Sequence, residues 1–236
     1  DKTVEGFYDG DGVYRVRFMP SYLGDYSYTI SGSFGEPQAG NFTVDPPSSK
    51  NHGPVRVQDK YYFCYSDGKP FYPLGTTCYV WELQSDELIQ QTLESLRVSH
   101  FNKIRFCILP KHYDYNLGEP RSYPFVGTPM DSSGLTRDNF HQYTGKSQGN
   151  NFDFTKLNPA HFQHIEKCIK KLQELGVEAD LIVMRPYDRW GFSSMSRETD
   201  ELYRRYVLAR FSAFRNVWWS GANEYALLFS KTEEDW

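Results

Sequence analysis

The sequence predicts an α/β fold: a short antiparallel part first, then a β-α-β-α-β-α-β alternation. Three observations carry this. Apolar and polar residues alternate one by one in three short runs within the first fifty residues. Helical spacing between short apolar runs takes over after that. No G-x-G-x-x-G or G-x-x-x-x-G-K-[ST] follows any run, which removes the nucleotide-binding reading of a doubly wound sheet. The 236 residues suffice for one large domain, or a small one plus a medium one.

Tyr14, Val16 and Phe18 form the first alternating run, Tyr26, Tyr28 and Ile30 the second, and Phe42 and Val44 the third. Glycine-rich turns at 9–12, 24–25 and 32–35 separate them. The pattern predicts antiparallel sheet with one buried face. Residues 46–49 (PPSS) end it like a linker. Three or four strands are too few for a whole sandwich of ~100 residues. Residues 1–50 are therefore expected as part of a small β-sandwich, either an appendage or the remnant of a larger domain.

Residues 71–76 read as the first strand of the second region, 51–236. Ser85 then offers an N-cap with acids in the first turn, and Ile89, Leu93 and Leu96 give one helical face. Residues 103–109 (KIRFCIL) are the second strand. Asn158 and Pro159 supply a cap and an N1 proline; Phe162, Ile165, Ile169 and Leu172 mark the face, and Gly176 the C-terminal stop. Residues 179–184 are the third strand. Residues 196–215 form a helix with Leu202, Tyr206, Ala209 and Ala213 on one face, and 216–221 (NVWWSG) the fourth strand. Such alternation requires a parallel sheet with right-handed crossovers. A doubly wound sheet and a (β/α)₈ barrel both fit. The 32 residues from 71 to 103 and the 37 from 179 to 216 sit near the ~31 per unit of a barrel.

One connection is abnormal. Residues 110–157 span 48 positions between the second strand and its helix, where ~2–6 are usual. The segment is rich in rings and polar groups, among them His112, Tyr113, Asp114, Tyr115, Tyr123, Phe125, His141 and Tyr143. Two readings stand: a wall of a substrate cleft, or a surface elaboration with its own small core.

A barrel would bring the C-terminal strand ends onto one face. Those ends carry Trp81; His112, Tyr113 and Asp114; Arg185, Tyr187, Asp188 and Trp190; and Asn223, Glu224 and Tyr225. Rings beside carboxylates, a histidine and cations suit a polyhydroxylated ligand. Glu224 stands out because Trp218 and Trp219 precede it in the fourth strand. A carboxyl walled by rings is desolvated, its pKa rises, and it can protonate a leaving oxygen. Asn223 could hydrogen-bond a sugar hydroxyl beside the reacting carbon. Asp114 and Asp188 are hydroxyl binders or turn caps, and Trp81 and Trp190 stacking rings or core. Arg105, within the second strand, faces either the barrel interior, where it could orient a catalytic carboxylate, or the outside.

Segments 176–188 (GVEADLIVMRPYD) and 216–225 (NVWWSGANEY) resemble the apiosidase-like candidate glycoside hydrolases, which are (β/α)₈ barrels related to the retaining glycosidases of clan A. Segments 6–12 (GFYDGDG), 14–20 (YRVRFMP), 52–54 (HGP) and 73–77 (PLGTT) resemble an immunoglobulin-like domain of unknown function that precedes such barrels. The resemblance implies Glu224 as acid/base at the end of strand four, Asn223 as a ligand of the sugar 2-hydroxyl, and a nucleophile glutamate at the end of strand seven. It also implies sandwich strands before Asp1 and barrel strands after Trp236, so the chain reads as an internal fragment with about the first four β/α units. The expected partners are an oligo- or polysaccharide substrate and either the missing half-barrel or a second copy, because a lone half-barrel exposes sheet edges and apolar surface.

Composition narrows the rest. Lys plus Arg is 26 against 30 Asp plus Glu, a net charge of −4, so no electrostatic case exists for nucleic acid or an anionic membrane. No apolar run reaches membrane-spanning length. Cys64, Cys78, Cys107 and Cys168 show no zinc spacing and read as buried thiols, which leans toward a reducing, cytoplasmic setting without fixing it. No cofactor or metal is expected. A non-catalytic carbohydrate-binding barrel, or a lyase-like enzyme using Tyr and His, are the competing functions.

Overall fold

The computed structural model describes residues 1–33, 35–145, 149–229, 231–232 and 234. Phe34 in the expected 32–35 turn, residues 146–148 of the long connection, and residues 230, 233, 235 and 236 of the expected barrel segment lie outside the described residues. The chain forms two compact units, residues 18–71, and residues 1–17 with 72–236. This division differs from the expected break at 50/51.

Strands β1 (Gly6–Tyr8) and β2 (Tyr14–Val16) pair antiparallel across the Gly10–Gly12 turn. They belong with the helices, not with the strands that follow. Phe7 is buried and its ring meets Tyr206 edge-on at 5.8 Å. Asp9 forms ion pairs with Arg15 and with the buried Arg210, at 2.7 Å from the latter. Arg210 also pairs with Glu166 at 2.9 Å, and Glu166 with Arg17 at 2.8 Å and Lys170 at 2.6 Å.

Residues 18–71 contain β3 (Gly24–Ile30) and β4 (Gln38–Val44), paired antiparallel, and a three-stranded sheet of β5 (Val55–Gln58), β6 (Tyr62–Tyr65) and β7 (Pro70–Phe71). Tyr26 stacks on Phe42 at 5.2 Å, yet Tyr28 and Phe42 remain exposed. The expected buried face is not formed on this ribbon: two strands cover too little apolar surface by themselves.

The second unit is built on a four-stranded parallel sheet of β8 (Gly75–Thr77), β9 (Lys103–Cys107), β12 (Glu178–Met184) and β13 (Val217–Ala222), adjacent in chain order. The connection between β9 and β12 includes the antiparallel hairpin β10 (Phe125–Thr128) and β11 (Asn151–Leu157). The expected first strand at 71–76 is split. Phe71 pairs backward with Phe63 in β6, while Gly75 starts the parallel ladder. Pro73 breaks the run because it has no N–H to donate, and Asn102 spans the break by accepting from Leu74 N and donating to Tyr72 O, each at 2.8 Å.

The helices follow their caps. Helix α1 (Asp86–Val98) begins where the Ser85 hydroxyl accepts from Leu88 N. Helix α2 (Pro159–Leu175) begins at Asn158 and stops at Gly176, whose φ of 73° is in the left-handed region. Helix α3 (Arg197–Phe211) begins at Ser196. Its buried stripe is Tyr203, Tyr206, Val207, Arg210 and Phe211, not the expected Leu202, Ala209 and Ala213; Leu202 is exposed and Ala213 lies past the helix. The expectation favoured aliphatic residues, whereas this helix buries rings and an arginine held by carboxylates.

One face of the sheet carries Ile104, Phe106, Ala179, Leu181 and Val183, which join apolar residues of all three helices in one core. The register places Lys103, Arg105, Glu178, Asp180, Trp218 and Ser220 on the opposite face. Lys103 pairs with Asp180, Ser220 Oγ donates to Asp180 at 2.9 Å, and Trp218 Nε1 donates to Glu178 at 2.9 Å. Burial outweighs that indole bond and pushes the Glu178 carboxyl up to about 7 from its ordinary 4.5. From about pH 4.5 to about 7 the unfolded chain ionises this group while the folded one keeps its proton, so stability falls as pH rises through that window. Glu178→Gln is expected to flatten this loss: between pH 5 and pH 8 the variant should lose about 2 kcal/mol less unfolding free energy than the parent in urea titrations.

Candidate active site

Four parallel strands deliver the segments that follow them to one edge. Backbone bonds continue past the regular ladder and hold these segments together. Cys78 N donates to Arg105 O at 3.0 Å, Cys107 N to Tyr79 O at 2.8 Å, Ile108 N to Ile182 O at 3.1 Å, and Asn223 N to Met184 O at 2.9 Å. Tyr79, Lys111, Tyr187, Asn223 and Glu224 thereby become neighbours.

Asn223 Nδ2 donates to Glu224 Oε2 at 2.8 Å. The Tyr187 hydroxyl also directs a hydrogen bond to Glu224; burial and then that bond raise the tyrosine above its usual range. Lys111 Nζ lies over the rings of Tyr79 and Tyr187, 4.6 Å from each centroid. Glu224 has φ 51° and ψ 46°, a left-handed conformation, and its carbonyl accepts from Leu227 N at 2.9 Å to start a short 3-10 turn. A non-glycine residue there is uncommon and costs ~1–3 kcal/mol.

The expected tryptophan wall is absent. Glu224 is exposed. Trp218 and Trp219 stand opposite Asp180 and Leu181 near the start of β13, roughly 17–20 Å from Glu224 at ~3.3 Å per residue. Trp218 is tied to Glu178, and Trp219 is 39% exposed.

Several other expected ligands are structural. Trp81 is buried edge-on against Phe106. Trp190 is buried, donates to Glu119 at 3.0 Å, and lies beneath the Arg189 guanidinium. His112 is buried and stacked on Phe140 at 4.1 Å; burial lowers it to about 4. The Asp188 carboxylate accepts from the backbone N–H groups of Trp190, Gly191, Phe192 and Ser193, so it caps a turn. Asp114 is exposed, with its carbonyl bonded to Arg137, and Tyr225 is 63% exposed. Tyr113 is half-buried, and burial raises its hydroxyl.

Arg185 is 1% exposed and its Nε donates to Leu109 O at 3.3 Å, while Nη1 and Nη2 find no acceptor among the described residues. Arg105 shares the sheet face of Lys103, and its Nε is likewise buried without a partner. Sequence reasoning missed Lys111 and Tyr79. The signal lay in the strand-end segments themselves, where Lys111 follows Pro110 next to the histidine singled out instead.

The long connection meets the segment after β12. Gly145 N donates to Asp188 O at 2.8 Å, and Asn150 Nδ2 to Arg189 O at 2.8 Å. Tyr123, Phe125, Phe152 and Phe154 pack with Trp190 and Phe192. Its rings thus join the main core instead of forming a small core of their own. Cys107 and Cys168 are buried, and Cys78 is exposed. Among the described residues no group of three His, Cys, Asp or Glu is placed to hold a metal, and no helix is long and apolar enough to cross a membrane.

Residues 57–233 match the family described as apiosidase-like, catalytic domain. Residues 1–33 match a domain of unknown function, DUF5060. A candidate glycoside hydrolase from Bacteroides vulgatus is 44% identical over the whole chain with a TM-score of 0.89. The chain spans 45% of that protein's length. Two further structures are similar: a glycoside hydrolase at 14% identity, covering 71% of this chain and 33% of its own, and a family 5 glycoside hydrolase from Bacteroides vulgatus at 15%, covering 76% and 36%, each with a TM-score of 0.48. No curated protein matches the chain.

Proposed function

The chain belongs to the apiosidase-like catalytic-domain family, and from that premise we propose that it supplies the acid/base half of a retaining glycoside hydrolase. The observation that supports this best is the place of Glu224. It follows Asn223 at the end of the fourth adjacent parallel strand, and its carboxylate is held by Asn223 and Tyr187.

In this reading the four strands are the first half of a (β/α)₈ barrel, and residues 1–50 contain part of an immunoglobulin-like sandwich. The substrate is an oligo- or polysaccharide. Glu224 protonates the departing glycosidic oxygen while a glutamate at the end of strand seven, outside these 236 residues, attacks the anomeric carbon. Glu224 then takes a proton from the water that opens the glycosyl ester. Asn223 holds the 2-hydroxyl. Arg105, on the polar sheet face with an Nε that has no partner among the described residues, orients the nucleophile carboxylate. The Glu224 carboxyl, exposed in this chain, becomes desolvated when the second half of the barrel and the sugar close over it.

Hydrolysis of aryl glycosides by the full-length protein, followed by ¹H NMR, tests the mechanism. The first-formed sugar should keep the anomeric configuration of the substrate, as two carboxyl groups ~5 Å apart require. An inverted first product would remove the retaining assignment.

A further inference from the structure

We propose that Lys111 is a positioning residue for the acid/base: its ammonium, boxed between Tyr79 and Tyr187, fixes Tyr187 against Glu224 and holds a positive charge beside that carboxylate. The inference rests on the acid/base reading of Glu224 and extends it.

Lys111 is an odd residue to bury. It is only 8% exposed, and among the described residues no carboxylate lies within ion-pair distance of its Nζ. What it has is two ring faces at 4.6 Å. Tyrosine faces are negative in their quadrupole and attract a desolvated cation. The contact works in both directions, because a lysine held between two rings also fixes the rings. One of those rings carries the hydroxyl that faces Glu224. The order Tyr79, Lys111, Tyr187, Glu224 therefore links the ends of all four strands through side chains.

Charge completes the argument. The groups that act on Lys111 are Cys107 of β9, Arg185 after β12 and Glu224 after β13, with Tyr79 and Tyr187 as its ring neighbours. Burial first, and then Arg185, lower the Lys111 pKa, while Glu224 opposes them. Cys107 is buried and its thiol is pushed up to about 12, so it is neutral at working pH. Glu224 is thus the acid that balances the ammonium.

The test uses the full-length protein with Lys111→Met, which keeps the length of the chain and removes the charge. The basic limb of the kcat/KM profile, which reports the acid in the free enzyme, should move up by roughly one pH unit. At the optimum kcat should fall roughly ten- to a hundredfold with KM little changed. Lys111→Arg should keep the limb near its parental position. Tyr187→Phe removes the hydroxyl but leaves the box, and should lower kcat without moving the limb upward as far as Lys111→Met. A basic limb unmoved in Lys111→Met, or a raised KM with kcat preserved, would overturn the proposal, the latter by making Lys111 a substrate contact. If Lys111→Met does not fold, an unchanged kcat in Tyr187→Phe overturns it. Failure of the acid/base reading is separate: it would show as a Glu224→Gln variant insensitive to the leaving group.

Discussion

Glu224→Gln in the full-length protein is expected to lose ~10²–10⁴-fold in kcat/KM on substrates with poor leaving groups. On aryl glycosides with activated leaving groups the loss should be far smaller, because the departing oxygen needs no proton there. Azide should restore part of the turnover on activated substrates, since an anionic nucleophile can open the glycosyl ester without a base. Glutamine is the right replacement. It keeps the size of the side chain and stands in the same left-handed backbone conformation, so it changes protonation and little else. Glu224 is exposed, and unfolding midpoints of parent and variant should agree closely. Steady-state kinetics across a series of leaving groups checks the prediction. Equal loss on every leaving group with no response to azide would remove the acid/base role, and full activity throughout would remove Glu224 from the site. The 236-residue chain alone should not turn over substrate, because the proposed nucleophile lies outside it.

The second large effect concerns stability. Arg210→Met should cost about 3 kcal/mol of unfolding free energy, the low end of the range for breaking a buried ion pair. The low end applies because the carboxylates left behind keep partners: Asp9 retains Arg15 and Gln163, and Glu166 retains Arg17 and Lys170. Chemical denaturation measures the loss, and hydrogen exchange should place its first opening in the β1–β2 hairpin, which Asp9, together with Phe7 and Arg17, attaches to α2 and α3. Acid sensitivity should change as well. Burial raises the Asp9 carboxyl, but hydrogen bonds from Arg15, Arg210 and Gln163, with the Arg210 charge, more than reverse this and hold it at about 2, below its ordinary 3.8. Its contribution is therefore present above about pH 3.8 and is lost as pH falls toward about 2. In Arg210→Met that acid limb should be shallower. An unchanged midpoint at neutral pH would show that the cluster adds nothing to stability.

Local features of the sequence were enough for the starts of the three α-helices. Ser85, Asn158 and Ser196 each cap the helix they precede, and Gly176 ends α2 in the left-handed conformation. The β/α alternation foretold four neighbouring parallel strands, and the place of Asn223 and Glu224 at the end of the fourth followed from it. These features are legible because a cap, a stop or a strand end depends on residues a few positions apart.

The fate of each ring and charge depended on tertiary packing. Trp81, His112, Asp188 and Trp190 sit at strand ends as the sequence indicated, yet their side chains turn into the core or onto backbone N–H groups. Lys111, by contrast, became a neighbour of Glu224 only when four strand ends met. The first seventeen residues joined the helices through Asp9 and Arg210, 201 positions apart in sequence. Periodicity reports which face of an element is apolar. It carries no record of which distant carboxylate, ring or backbone group that element will meet. A buried charge costs least where such a partner arrives, so the partner, more than the residue type, decides whether a side chain supports the fold or serves the site.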